Sequence, residues 1–216
     1  LGDVYKRQVV TARDEWVYGE TPDNLEIKVR HFIDTYESER DRWKKSGRIE
    51  KTNDFVSREI KWTSELESHL ERGKALKWEP GRVRRSSYRP YCSAWTYYDA
   101  VITHRLYQQD GIFPVSGAWN NKAIVYTQAG SQKPFCAIAV DRLPDLHLVG
   151  AAAGSECMPL YRYDEVGNRL ENITDWASTQ FQKHYQPGRG KKARPITKEA
   201  IFHYVYAVLQ DPLYRE

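Results

Sequence analysis

Four arginines fall within eight residues, Arg82, Arg84, Arg85 and Arg89, interleaved with Ser86, Ser87, Tyr88 and Tyr91. A guanidinium is a planar fork that holds a phosphate, or the O6 and N7 atoms of guanine, through two hydrogen bonds. Serine and tyrosine hydroxyls add phosphate contacts. If the segment is extended, alternation places Arg82 and Arg84 on one face and Val83 and Arg85 on the other. The same composition also fits a charged edge strand paired with nearby glutamates. Three further stretches mix amide, hydroxyl and basic side chains near glycine: Asn120, Asn121 and Lys122 in 117–122, Ser131, Gln132 and Lys133 in 130–133, and Arg189, Lys191 and Lys192 in the basic loop 188–195. Such a mixture suits base edges and is equally ordinary for surface loops. On the nucleic-acid reading, loss of charge at Arg82 or Arg84 weakens binding to every sequence. Substitution of Asn121 or Gln132 changes the choice among sequences.

Catalytic patterns are missing from the sequence. The segment from Gly188 to Lys192 has two glycines and two lysines, but not the spacing of a phosphate-binding loop, and no strand is expected before it. An adenine aminomethyltransferase needs an Asn/Asp-Pro-Pro-aromatic segment, which the chain lacks. Pro144-Asp145 opens like a metal-dependent nuclease pattern, yet no Glu-x-Lys follows it, so Asp145 reads as an Asx-type cap in a turn. His104 and His147 stand apart and read as packing or capping residues. There is no Gly-x-Ser-x-Gly elbow. Cys92, with Tyr91 and Pro90 beside it, reads as a buried structural thiol. No catalytic and no metal-ligating residue is assigned.

Composition sets wider bounds. The 216 residues suffice for one sizeable domain, and 15 Tyr with 7 Trp supply large core anchors, which argues against disorder. A net charge of +4 permits an acidic partner without demanding one. Three widely spaced cysteines, Cys92, Cys136 and Cys157, read as free thiols in a reducing cytoplasm. The apolar run around Leu146–Ala153 is too short to span a bilayer, so no membrane partner is expected. Residues 1–8 lack an initiator Met, resemble translated adapter sequence and are set aside as a candidate non-native leader. The chain reads as a piece of a longer protein.

The elements that must position these residues form an α+β chain. Thr21 as cap and Pro22 at the first position open a helix that carries Leu25, Val29, Phe32, Ile33, Tyr36 and Trp43 to about Lys45, with Gly47 after it. A second helix is expected from about Ser57, with Trp62, Leu66 and Leu70 on one side and Gly73 at its end. These two amphipathic helices make 9–76 a helical spacer. From Lys77 the texture becomes β-rich and mostly antiparallel, with candidate strands Trp95–Tyr98, Ala123–Thr127, Phe135–Val140 and Met158–Tyr163 and a turn at Val166-Gly167-Asn168. Thr174 and Thr197 cap two closing helices. The first carries Trp176, Ala177 and Phe181, and the second a stripe of Ile201, Tyr204, Val205, Val208 and Leu209. Residues 77–216 therefore form the body, and the whole chain one domain.

Several ordered segments carry a resemblance: Thr11-Ala12-Arg13-Asp14-Glu15-Trp16-Val17-Tyr18, Phe32-Ile33-Asp34-Thr35-Tyr36, Ile60-Lys61-Trp62, Arg84-Arg85-Ser86-Ser87-Tyr88-Arg89-Pro90-Tyr91, and Trp95-Thr96-Tyr97-Tyr98-Asp99. It continues through Pro144-Asp145-Leu146-His147, Pro159-Leu160-Tyr161-Arg162-Tyr163, Glu171-Asn172-Ile173-Thr174-Asp175-Trp176 and Ile201-Phe202-His203-Tyr204-Val205-Tyr206-Ala207-Val208-Leu209. Nearly the whole chain after residue 8 resembles the C-terminal specificity region of Type ISP restriction–modification enzymes.

The resemblance implies a target-recognition domain that binds double-stranded DNA at a short asymmetric site and catalyses nothing itself. It further implies a parent polypeptide with a nuclease, an ATP-driven translocase and an adenine methyltransferase upstream, using S-adenosylmethionine, ATP and Mg2+. None of these cofactors is expected on this segment. A competing role is a structural coupling module that braces the methyltransferase and translocase domains and makes little DNA contact.

Overall fold

The computed structural model describes residues 2, 10–11, 13–47, 51–114, 120–150, 154–185 and 195–215. Apart from Gly2, the expected leader 1–8 lies outside them. The chain divides into two compact units, Val9–Tyr107 and one centred on Gln108–Glu216.

In the first unit the helix Pro22–Lys45 begins as its sequence dictates. The Thr21 hydroxyl accepts the Asn24 N–H at 3.1 Å, and Pro22 fills the first turn, where an N–H has no helical partner. Leu25, Val29, Phe32, Ile33, Tyr36 and Trp43 are buried along one side. Gly47 then takes φ 72°, a left-handed conformation that ends the chain's helical path.

The second helix differs from its expected form. A single turn occupies Thr52–Phe55, and the helix proper is Ser64–Glu71. Two local bonds explain the late start. The Trp62 indole N–H donates to Ser57 O at 2.8 Å, holding 57–62 as a loop, and the Thr63 hydroxyl accepts the Leu66 N–H at 3.3 Å as cap.

The strands Tyr18–Gly19, Cys92–Tyr97 and Val83–Arg89 lie antiparallel in that order, with Cys92–Tyr97 in the middle. Val83 faces Tyr97, Arg85 faces Trp95 and Ser87 faces Ser93 across the hairpin, and the register slips between Ser87 and Arg89. One core joins sheet and helices: Tyr18, Leu25, Phe32, Tyr36, Leu66 and Tyr97 are buried, with Val83, Tyr88, Ala94 and Trp95 packed on them. The change of texture at 76/77 thus falls inside this unit, because the hairpin completes the helical core.

The second unit is built on the antiparallel strands Ala137–Val140, Ala123–Thr127 and Ser155–Pro159, with Ala123–Thr127 in the middle. Continuous apolar character at Ala123, Ile124 and Val125, all buried, fits a strand covered on both faces. The expected strand 135–140 begins only at Ala137. The expected strand 158–163 is divided after Leu160: the Leu160 N–H still bonds Lys122 O at 2.8 Å in register with Ala123–Thr127, but the Tyr161 N–H goes to the Asn121 side chain at 3.0 Å. A hairpin of Tyr161–Tyr163 and Arg169–Glu171 follows, its turn closed by Asp164 accepting the Val166 and Asn168 N–H groups, with Gly167 at φ 86°.

Thr174 and Thr197 cap helices Asp175–His184 and Lys198–Gln210 as expected. Ala177 and Ile201 enter the core as expected, with Phe181, Val205 and Leu209 packed against it, but Phe202 joins them where Tyr204 was expected, and Tyr204 and Trp176 are exposed. Tyr204 keeps its hydroxyl at the surface instead, where it accepts a hydrogen bond from the Tyr185 hydroxyl at 2.8 Å. The architecture is α+β, and its sheets are mostly antiparallel. No helix among the described residues is long and apolar enough to cross a membrane.

Candidate nucleic-acid interface

The arginine cluster lies on and beside the hairpin Val83–Arg89/Cys92–Tyr97, which the first unit's core holds rigidly from behind. Trp78 stacks on Tyr97 at 4.9 Å, and the Tyr97 hydroxyl accepts the Glu79 N–H at 3.0 Å. Burial pushes the Tyr97 phenol up to about 12. At the other end Tyr88 packs against Tyr18 at 4.5 Å and donates its hydroxyl proton to Asp14 at 3.0 Å.

The four arginines have different surroundings. Arg82 ends the 3-10 turn Pro80–Arg82 instead of entering the strand. It is clamped between Glu79 at 2.9 Å and Asp99 at 2.8 Å, and its hydrogen bond to Glu79 holds its pKa above the ordinary value. That geometry makes it a brace and takes it out of the expected shared face with Arg84. Arg84 is half-buried, and its Nη1 donates to the Gly81 carbonyl at 2.5 Å. Burial lowers its pKa, but a guanidinium stays charged at neutral pH. Arg85 is exposed, 5.4 Å from the Trp95 ring centroid, and its Nε and Nη2 donate to the Ser93 hydroxyl at 3.1 and 2.6 Å. Arg89 lies 3.8 Å above the Tyr88 ring, with Nη2 3.3 Å from the Asp14 carboxylate.

The remaining candidates also separate. Ser86 is fully buried. In the second unit Asn120 is exposed. Asn121 is not a loop-surface residue: it is 1% exposed, its Nδ2 donates to Ile112 O and Tyr161 O, and its Oδ1 accepts the Lys122 and Tyr161 N–H groups. All four hydrogen-bonding positions of the amide are therefore used inside the protein, and its expected place at a base edge is corrected. Lys122 pairs with Glu199 at 2.9 Å, which draws its charge into a surface ion pair. Ser131, Gln132 and Lys133 curve with Gln128, Gly130 and Gly154 around a hollow of about 500 Å³. Gln132 and Lys133 are exposed there, and the Ser131 hydroxyl accepts the Lys133 N–H at 3.1 Å. Arg189, Lys191 and Lys192 lie outside the described residues, as do Gly117–Trp119.

Sequence reasoning missed Ser93, Trp95 and Asp14 as partners of the arginines. The 2-residue alternation of a hairpin could have paired Arg85 with Trp95, whereas Asp14 lies 75 residues from Arg89 and left no local signal.

Groups weighed for catalysis have ordinary roles. The Asp145 carboxylate accepts the His147 N–H at 2.9 Å, the expected Asx turn. His104 sits 3.1 Å from Glu65, yet burial lowers its pKa more than that carboxylate raises it. Cys157 is buried and its thiol pushed up by burial, whereas Cys92 is exposed, contrary to its expected burial. It opens a strand directly after a two-residue turn, where the core does not reach. Among the described residues no group of three or more His, Cys, Asp or Glu could hold a metal.

The chain belongs to the family of Type ISP C-terminal specificity domains, which residues 3–216 match. It is similar to a solved structure of the DrdV–DNA complex, with 35% identity and a TM-score of 0.83 over 97% of this chain and 19% of that one. Two further structures share the fold. One is a nuclease-deletion mutant of the Type ISP restriction-modification enzyme LlaGI in complex with a DNA substrate mimic, at 22% identity and TM-score 0.77. The other is the ATP-dependent Type ISP restriction-modification enzyme LlaBIII bound to DNA, at 24% and 0.75. Each covers 97% of this chain, which spans 18% of the LlaGI chain and 13% of the LlaBIII chain. No curated protein matches the chain.

Proposed function

We propose that this chain reads double-stranded DNA by sequence and is itself non-catalytic, serving upstream nuclease, translocase and methyltransferase domains of one polypeptide. The hairpin that displays Arg85 on a braced surface carries the assignment. Arg84 and Arg85 supply phosphate attraction, and the exposed loop Ser131-Gln132-Lys133, with Asn120, supplies contacts to base edges. Arg82 and Arg89 hold the hairpin in shape through Glu79, Asp99 and Asp14. Any S-adenosylmethionine, ATP and Mg2+ belong to the upstream domains. Solved relatives in complex with DNA support this reading, as does the chemistry of the exposed side chains.

Fluorescence anisotropy with randomised duplex DNA across a salt series tests it. Arg85→Gln is expected to weaken binding to all sequences alike and to reduce the slope of log affinity against log salt by about 1, the signature of one lost phosphate contact. Arg82→Gln is expected to act mainly on stability. Unchanged affinity and slope in an Arg84/Arg85 double glutamine variant would remove the hairpin from the interface.

A further inference from the structure

Tyr91 is 98% exposed and sits at φ 59°, in the left-handed region. Both facts run against ordinary chain physics. Hairpins of two loop residues favour turns with positive φ at the first central position. Pro90 occupies that position and fixes a negative φ, so the positive φ falls on Tyr91 instead. A tyrosine there is strained where glycine or asparagine is not, and a ring left in water returns no burial. No burial offsets that strain, which leaves the ring available to something outside the chain.

Charge identifies the occupant. The hairpin Val83–Tyr97 contains Arg84, Arg85 and Arg89 and no Asp or Glu. Arg89 and Cys92 pair directly below the tip, and Arg89 is fixed there by Tyr88 and Asp14. A rigid, wholly basic ribbon ending in an outward aromatic ring matches a polyanion with flat π faces at its centre. Resting on the DNA-recognition role above, we propose that Tyr91 is a stacking residue: its ring packs on a base face at a distorted step of the duplex, while Arg84 and Arg85 hold the flanking phosphates. The register slips between Ser87 and Arg89, just below the tip, and a bulge of this kind adds local twist to a hairpin.

The test compares the wild-type chain with Tyr91→Ala, Tyr91→Gly and Tyr91→Phe on randomised duplex DNA, and photo-crosslinks each to the same duplexes carrying 5-iododeoxyuridine. Loss of one stacked ring predicts roughly tenfold weaker binding for the Ala and Gly variants, with the salt slope unchanged. Tyr91→Phe binds like wild type. Tyr91→Gly melts no lower than wild type, which separates the effect from misfolding, and the principal wild-type crosslink maps to Tyr91. If wild type binds with steep salt dependence and Tyr91→Ala binds equally well, with crosslinks only elsewhere, the ring belongs to a protein partner and the stacking role is overturned. If the folded wild type binds no DNA at all, the recognition role fails first and the stacking role with it.

Discussion

Asn121→Ala is expected to unfold the second unit far more readily than it alters DNA choice. The wild-type amide joins three segments: Ile112 after the turn Gln109–Gly111, its own neighbour Lys122, and both backbone polar groups of Tyr161 at the start of a strand. Alanine leaves two N–H groups and two carbonyls without these partners. A buried unsatisfied group costs about 1–3 kcal/mol, and three of these four bonds are only part-buried, so the loss is expected to reach about 4 kcal/mol. For a unit of this size that lowers the melting temperature by more than about 10 °C. Asn121→Asp keeps the acceptor and loses the donor, and should fall between. The measurement is thermal unfolding by circular dichroism, beside anisotropy on whatever fraction remains folded. A variant that melts like wild type but has changed sequence preference would return Asn121 to the base-reading loop.

Arg13→Met is expected to destabilise the first unit by about 2–4 kcal/mol, because it leaves buried neutral acceptors without their charged donor. Arg13 is 1% exposed, and its guanidinium donates to Val101 O at 3.2 Å, Ile102 O at 2.9 Å and the Thr63 hydroxyl at 2.8 Å. Phe32 lies 5.2 Å from its central carbon. Burial pulls its pKa down to about 10, with Glu65 opposing, so the charge persists at neutral pH. Thr63 is also the cap of the helix Ser64–Glu71, so one side chain ties that helix to the loop behind the hairpin. Methionine matches the length of the stem but leaves the Val101 and Ile102 carbonyls without it. Arg13→Lys retains charge and cannot span all three acceptors, so its loss should be smaller. Urea unfolding at neutral pH checks both, and a Met variant within about 0.5 kcal/mol of wild type, the usual range for surface changes, would contradict the account.

The contrast between Arg13 and Arg85 shows what the sequence made legible. Capping at Thr21, Thr174 and Thr197 depends on residues within one turn and was read directly. The central strand Ala123–Thr127 was equally plain from its β-branched run. The hairpin arginines were visible as a cluster, but their division into braces and exposed groups was not. Glu79 is near Arg82, yet Asp99 is 17 residues away and Asp14 is 75 from Arg89. Asn121 misled because asparagine close to glycine is the usual mark of a loop, and nothing local reveals four buried partners. Tyr204 and Trp176 misled for a related reason: helical spacing fixes a stripe's width, while packing decides which edge enters the core. The late start of the helix Ser64–Glu71 followed from Trp62 bonding to Ser57, a local side-chain-to-backbone bond that overrode a periodic pattern.

Sequence-specific recognition is the central claim, and selection of bound duplexes from a randomised pool by the wild-type chain tests it most directly. The account predicts enrichment of one short asymmetric sequence, bound at least tenfold more tightly than its scrambled counterpart, with Gln132→Ala relaxing preference at one position by about 1–3 kcal/mol. A folded chain that binds every duplex equally, or binds none, would contradict it and favour a coupling role between neighbouring domains.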